Sequence, residues 1–341
     1  MNRRHFLITI AAGAIMVMTR GTGKGEAVGT TPVENIKSKK TKLSLIKTRD
    51  RMTGIERAID ILEINPVHGK NVLLKPNFNT ADPYPASTHN DTLNHLILHL
   101  KKMGASNITI GERCGPPETA DVLKDKGIYD LCKKLGVGLI NFEDLPESGW
   151  IHLNPAQSHW LNGFDVAKPV VDSSCIVTTC CLKTHGYGGV FTMSLKLSVG
   201  ITRKGNMAEL HTSFLSMRKM VAEINQAYQP SLILLDGIDA FVDKGPARGP
   251  LKQADVILAG TDRIAIDAVG LAILKYLGSN KAIMDKKIFQ QEQIARAVEL
   301  QLGISQPDDI DIVTDEPVGR EYAEKLMQIL HEDKSKISQP A

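Results

Sequence analysis

The chain has 341 residues, of which 42% are hydrophobic and 23% are charged, a composition that is ordinary for a soluble globular protein. This length can form one large α/β domain or two lobes. Residues 1–27 account for the formal net charge of +3 and the remainder is balanced, so no nucleic-acid-binding surface is expected. The cysteines contain no Cys-x-x-Cys spacing, which excludes the usual iron–sulfur cluster and zinc-ribbon motifs.

The N-terminus is typical of an export signal. Arg3 and Arg4 resemble the twin-arginine pattern, and the apolar run 6–18 follows them. That run is shorter than the roughly 20 residues of a membrane span. We therefore predict that residues 1–27 are a twin-arginine signal read by that export machinery. Cleavage would leave an exported, periplasmic or extracytoplasmic protein with no stable membrane span; an uncleaved anchor is the alternative. Residues 28–40 are predicted to be a linker.

Strand-like and helix-like segments then alternate along the chain, which is typical of a parallel sheet covered by helices. We predict an α/β domain over residues 41–315: a mostly parallel sheet with helices on both faces, in two lobes (about 41–145 and 165–315) around a cleft. Residues 145–165 either connect the lobes or form a hairpin. Residues 316–341 are predicted to be a C-terminal helix and tail.

The stretch 172–201 carries the densest set of candidate site residues. A buried strand leads to Lys183 and His185, a glycine-rich loop follows, and a short helix carries Lys196. Ligands of open α/β sheets bind beyond the carboxyl ends of strands. The ammonium groups and the helix N-terminus would bind phosphate or carboxylate, and His185 could move protons or bind a metal. The alternative is a structural loop with solvated lysines.

Backbone amides of that loop are further candidate ligand contacts, those of Gly188 and Gly189 in particular. Lys75 and Asn77 follow another buried strand and are predicted to bind the same ligand or cofactor. The alternatives are a lysine that extends to solvent and an asparagine that only forms a turn. His89, in the next polar loop, is a weaker candidate.

Three carboxylates complete the predicted site. Glu112 and Asp236 follow short apolar strands and could bind a metal, orient a lysine or act as a base, although Asp236 could also belong to an ordinary turn. Asp267 lies on the apolar stripe of a predicted helix. A buried carboxylate needs a partner, so we expect Lys183 or Lys196 to pair with it; the alternative is a buried cap.

The order of these motifs resembles the family catalogued as a domain of unknown function, DUF362. The matching segments are 72–77 (Val-Leu-Leu-Lys-Pro-Asn), 110–112 (Ile-Gly-Glu), 182–185 (Leu-Lys-Thr-His), 192–196 (Thr-Met-Ser-Leu-Lys), 235–237 (Leu-Asp-Gly) and 259–262 (Ala-Gly-Thr-Asp). Many members carry an appended ferredoxin module, whose cysteines this chain lacks.

More distantly, the chain is similar to the N-terminal domain of nickel-pincer lactate racemase. That resemblance implies that Lys196 carries a covalently bound cofactor and that His185 is an acid–base residue. The chain departs from the pattern at Lys183 and Leu197, and a second histidine has no clear match.

Together these patterns predict an exported enzyme that acts on a small anionic molecule with a metal or organic cofactor. The predicted catalytic residues are His185, Lys196 and Asp267. The cofactor would contact Lys75, Asn77, Lys183, Gly188 and Gly189, and the predicted metal ligands are His185, Glu112 and Asp236. The alternative is a non-catalytic protein that captures an anion or metal and presents it to a partner.

Overall fold

The structure is a computed structural model that describes residues 40–332. The predicted export signal, nearly all of the predicted linker and the end of the tail lie outside these residues. The strands are β1 (Thr41–Lys47), β2 (Asn71–Lys75), β3 (Asn107–Glu112), β4 (Gly138–Asn141), β5 (Trp150–Leu153), β6 (Phe164–Ala167), β7 (Ile176–His185), β8 (Val190–Thr192), β9 (Leu232–Phe241), β10 (Leu251–Gly260) and β11 (Ile310–Val313). The helices are α1 (Arg51–Asp60), α2 (Asn90–Lys102), α3 (Thr119–Asp125), α4 (Ile128–Leu135), α5 (Lys168–Val171), α6 (Ser194–Leu197), α7 (Met207–Thr212), α8 (Met217–Ile224), α9 (Arg263–Leu277), α10 (Lys281–Met284), α11 (Glu292–Glu299) and α12 (Pro317–Glu332).

One nine-stranded sheet organises these elements, in the order β11-β1-β10-β9-β7-β2-β3-β4, with β8 paired to β7. Strands β9, β7, β2, β3 and β4 run parallel to one another, whereas β10 is antiparallel to both β1 and β9. The prediction of a mostly parallel α/β sheet is therefore confirmed.

Alternate side chains of each central strand are buried on opposite faces of the sheet. In β9, Ile233 and Leu235 pack on one face, and Leu232 and Leu234 on the other. This follows from the alternation of side chains along a strand. Helices α9, α11 and α12 cover the first face, and α1 to α4 cover the second, so the prediction of helices on both faces is also confirmed.

Two lobes are not observed in the part of the chain that the structure describes. The first strand, β1, lies between β10 and β11. The N-terminal strand of the domain is therefore paired with two of its C-terminal strands. The predicted hairpin at residues 145–165 is seen in β5 and β6, which form a separate antiparallel pair. Among the described residues, no helix combines the length and the apolar character that a membrane span requires.

All five cysteines are buried thiols without disulfides. Cys180 belongs to the core on the first face of the sheet. Buried thiols of this kind pack as small apolar core residues.

Candidate functional site

A cavity of about 580 Å³ opens at the carboxyl ends of β2, β3 and β7. Parallel strands end at the same edge of a sheet, so residues far apart in sequence meet there. Of the residues selected from the sequence, the cavity brings together Lys75, Asn77, Glu112, Lys183, His185 and Lys196. Asp236, Asp267, His89, Gly188 and Gly189 do not line it.

The β7–β8 hairpin places His185 beside Lys196. His185 is the last residue of β7 and pairs with Val190 across the turn, and α6 begins shortly after β8. A Cβ atom added to Gly189 would lie 2.8 Å from His185 Nδ1 and 3.0 Å from Lys196 Cε. The imidazole and the lysine stem therefore reach the same point, and only a glycine leaves room for both.

The amine of Lys196 has no hydrogen-bond or ion-pair partner among the described residues. Burial, followed by the nearby charges of Lys183 and Arg113, lowers its pKa to about 8. Such an amine is still mostly charged at neutral pH, but it loses its proton far more easily than an exposed lysine.

His185 is a neutral imidazole in this setting. Burial, followed by the charges of Lys196 and Lys183, lowers its pKa to about 2. Its Nδ1 atom is buried and has no hydrogen-bond partner in the part of the chain that the structure describes. The sequence led us to expect a histidine that gains and loses protons near neutral pH, whereas the surrounding cations favour a neutral hydrogen-bonding or ligating role.

Lys75 and Glu112 form a buried ion pair across β2 and β3. Lys75 Nζ also donates to the carbonyl of Pro76 at 2.7 Å, and the carboxylate accepts the backbone N–H groups of Phe78 and Arg113, both at 2.9 Å. Burial lowers the pKa of Lys75 and raises that of Glu112. Among the described residues that line the cavity, Glu112 is the one carboxylate, and it is already occupied by Lys75.

Lys183 is held by neutral acceptors only. Its Nζ atom donates to Asn77 Oδ1 at 2.7 Å and to the carbonyl of Ala86. Thr88 Oγ1 accepts the backbone N–H of Asn77 at 2.9 Å and so positions that asparagine. Burial lowers the pKa of Lys183, and no carboxylate of residues 40–332 lies within ion-pair distance of its amine.

Arg113 is a cavity residue that we did not select from the sequence. Its guanidinium donates to the carbonyls of Cys114 and Val199, while Nε is buried and has no partner within the described range. Burial lowers its pKa. Arg113 directly follows Glu112 at the end of β3, and this position could have identified it as a candidate from the sequence.

Two further residues of the cavity lie in a stretch whose sequence has no clear period. Lys204 pairs with Glu118 at 2.7 Å and with Glu143 at 3.1 Å. His211 is exposed and donates from Nδ1 to the carbonyl of Met207 at 2.7 Å. Their positions depend on how α7 packs, which the local sequence does not encode.

Asp267 corrects our expectation of a lysine partner. It is fully buried, as predicted, but its carboxylate accepts the backbone N–H groups of Ser194 at 2.7 Å and Leu195 at 3.1 Å. It therefore caps α6, and the predicted anion site at that helix start is occupied by this side chain. Burial raises its pKa to about 7, against the effect of the two amides.

Asp236 also lies away from the cavity. Strand β9 continues past it to Phe241, so Asp236 is in mid-strand and not at a strand end. Arg51, Thr92 and Tyr84 bind its carboxylate, at 2.9, 2.5 and 2.7 Å. The sequence pair Asp-Gly suggested a turn that is not formed.

The predicted metal set of His185, Glu112 and Asp236 is consequently not assembled. Among the described residues, no group of three or more His, Cys, Asp or Glu side chains is placed to hold a metal ion. His89 is the N-cap of α2, and its imidazole accepts the backbone N–H of Asp91 at 3.1 Å. The carbonyl of Gly188 accepts from Arg218 at 2.8 Å. These residues have structural roles here.

Comparison with known proteins gives a family match and a similar solved structure. The family model of a domain of unknown function, DUF362, matches residues 72–272, as the order of the motifs predicted. The solved structure of the lactate racemase apoprotein from Thermoanaerobacterium thermosaccharolyticum is similar at 12% sequence identity and a TM-score of 0.44, over 85% of this chain and 90% of that chain. No curated protein matches the chain.

Proposed function

Since the chain belongs to the DUF362 family, we propose a function from its cavity: the protein binds a small molecule that carries a carboxylate or phosphate group. The observation that carries this proposal is the charge of the cavity wall. Lys183, Lys196 and Arg113 meet there without an ion-pair partner among the described residues. Buried cations are costly unless an opposite charge accompanies them, and an anionic ligand would supply it.

The rest of the wall supports a ligand larger than a simple ion. The volume of about 580 Å³ lies within the range of roughly 300–1,000 Å³ that is usual for small-molecule sites. Phe78, Leu197 and Val199 give the cavity apolar surface beside its cations. The proposed ligand therefore has an anionic group and an apolar or neutral remainder.

Calorimetric titration with a panel of carboxylates and phosphates tests this proposal. We expect at least one of these anions to bind the wild-type protein, and Lys196→Met to weaken that binding. An apolar replacement of an unpaired amine removes its desolvation cost, so this variant should remain folded. Lys134→Met, at an exposed position of α4, is the matched control. Equal affinities of both variants for every anion would contradict the proposal.

An enzyme is the leading form of this function, because an unpaired amine of lowered pKa can act as a nucleophile or carry a covalent cofactor. The resemblance to nickel-pincer lactate racemase assigns the second role to Lys196. The absence of a partner for its amine fits covalent attachment, and the site would then take its chemistry from the attached cofactor. The intact mass of protein purified from its native host tests this: an unmodified chain rejects the covalent cofactor.

A non-catalytic anion-binding protein that presents its ligand to a partner is the second candidate. The ion pair of Glu112 with Lys75 favours this candidate, because the described residues of the cavity then offer no free carboxylate to serve as a base. Turnover of a bound anion, followed by product analysis, distinguishes the two candidates.

Export by the twin-arginine route remains a proposal that rests on residues 1–27. We expect Arg3→Lys/Arg4→Lys to retain the protein in the cytoplasm, which fractionation of the host cells would reveal. Equal export of this variant and the wild type would exclude the twin-arginine route.

A further inference from the structure

The lysines of the cavity differ in what occupies their amines. Among the described residues, Lys75 is paired with Glu112, Lys204 is paired with Glu118 and Glu143, and Lys183 is held by two carbonyl acceptors. A paired or hydrogen-bonded ammonium resists loss of its proton. Lys196 alone among these four has no acceptor.

We propose that Lys196 forms an imine with the carbonyl carbon of an oxo acid, whose carboxylate is bound by the neighbouring Lys183 and Arg113. This inference rests on the proposed anion binding and names the ligand class: a small acid that carries an aldehyde or ketone group. The cavity supplies an amine for the carbonyl group and cations for the carboxylate. The unpartnered amine of Lys196 lines the same space as Lys183 and Arg113, which have no ion-pair partner among the described residues.

The reaction needs no oxidant or metal. The neutral amine of Lys196 attacks the carbonyl carbon, a nitrogen–carbon bond forms, and a proton moves from nitrogen to oxygen to give a carbinolamine. The carbon–oxygen bond then breaks, the nitrogen gives up its remaining hydrogen as a proton, and the oxygen leaves as water. The product is an imine, which becomes an iminium ion when it takes up a proton.

The surroundings of Lys196 favour this reaction over simple charge pairing. Burial and the two nearby cations lower the pKa of the amine to about 8, so a sizeable fraction is neutral in mildly alkaline solution. The adjacent His185 is neutral, since burial and the lysine charges lower its pKa to about 2. Its Nδ1 atom has no hydrogen-bond partner among the described residues and so does not hold Lys196 as an ammonium.

Reductive trapping tests the proposal on the complete chain. The protein is incubated with pyruvate or glyoxylate and sodium cyanoborohydride, and its intact mass and peptide masses are then measured. We expect one reduced adduct per chain, located at Lys196. Lys134→Met should keep the adduct, whereas Lys196→Arg should lose it while it retains the positive charge that binds the acid.

A parallel thermal-shift series separates this inference from the function on which it rests. Lactate, which has the carboxylate but no carbonyl group, is the comparison ligand. If the oxo acids and lactate stabilise the protein but no adduct forms at Lys196, the imine is rejected and anion binding stands. If none of a full panel of carboxylates and phosphates shifts the melting temperature, anion binding itself fails. Equal labelling of wild type and Lys196→Arg would also overturn the imine.

Discussion

The chemistry that this account assigns to the protein depends on the surroundings of single residues. Lys75 and Lys196 lie in the same cavity, yet Glu112 pairs with the first and no residue that the structure describes pairs with the second. The first amine is therefore part of the scaffold and the second is available to a ligand. Burial lowers the pKa of both amines, so the two lysines differ through the presence or absence of an ion-pair partner.

The pH dependence of binding follows from the amine of Lys196. Its pKa of about 8 means that it is charged below pH 8 and neutral above it. We expect anion affinity to fall as the pH rises through about 8, while the rate of imine trapping rises over the same interval. Calorimetry and trapping at pH 6 to 9 measure both trends, and a flat affinity profile would contradict the role of this charge.

Gly189 sets the distance between the imidazole and the amine. An added methyl group would lie within about 3.0 Å of His185 and Lys196, so both side chains must move. We expect Gly189→Ala to weaken ligand binding several-fold with little loss of overall stability. Gly205→Ala, where an added Cβ meets no atom within 4 Å, is the control. Unchanged binding by Gly189→Ala would show that this spacing is unimportant.

Sequence reasoning at this scale succeeded where position along a strand was sufficient. Lys75, Lys183 and His185 were predicted from the ends of buried strands, and they lie on one cavity. Partners in space could not be predicted in the same way. The ion pair of Lys75 with Glu112 and the neutral state of His185 depend on which strands are neighbours, and that order is not written in any local pattern.

At the scale of elements, α6 is the helix on which the site depends. It has only four residues, too few to be stable by itself, and it carries Lys196. The carboxylate of Asp267, from α9, binds its first two amides. Helix α9, which covers the sheet, thus holds α6, the short helix that carries Lys196.

Replacement of this cap is expected to affect the ligand as well as the fold. Asp267→Asn loses one of the two acceptors, and the loss of a cap costs about 0.5–2 kcal/mol. We expect a lower melting temperature together with weaker anion binding. Asp50→Ala removes the cap of α1, which lies on the other face of the sheet, and should lower stability but leave affinity intact. Equal affinities in both variants would show that Asp267 does not position Lys196.

The ion pair between β2 and β3 is expected to be a structural link. Removal of one partner leaves a buried charge uncompensated, which typically costs about 3–5 kcal/mol. We expect Lys75→Met and Glu112→Leu each to lower the free energy of unfolding by that order. The double variant should lose much less than the two losses combined. Additive losses in chemical denaturation would contradict a direct pairing.

Element boundaries were the weakest sequence prediction. The Asp-Gly pair at 236–237 indicated the end of β9, but the strand continues to Phe241 and pairs with β10 along this length. Asp236 is thereby removed from the ligand edge. A glycine inside a strand gives the same local signal as a turn, and the tertiary pairing determines which of the two forms.

At the scale of the whole molecule, the alternation of strands and helices was sufficient to predict a mostly parallel α/β fold. It did not predict that β1 lies between β10 and β11, and therefore the predicted two lobes do not occur among the described residues. The order of the strands is what brings β2, β3 and β7 together. The cavity is a consequence of that order, and it lies at the edge where the predicted lysines end their strands.

A crystal structure of the complex with the tightest-binding carboxylate or phosphate would test the central claim most directly. We expect the anionic group to lie within hydrogen-bond distance of at least two of Lys183, Lys196 and Arg113, in the cavity at the carboxyl ends of β2, β3 and β7. A ligand bound elsewhere, with these three cations still unaccompanied, would contradict it.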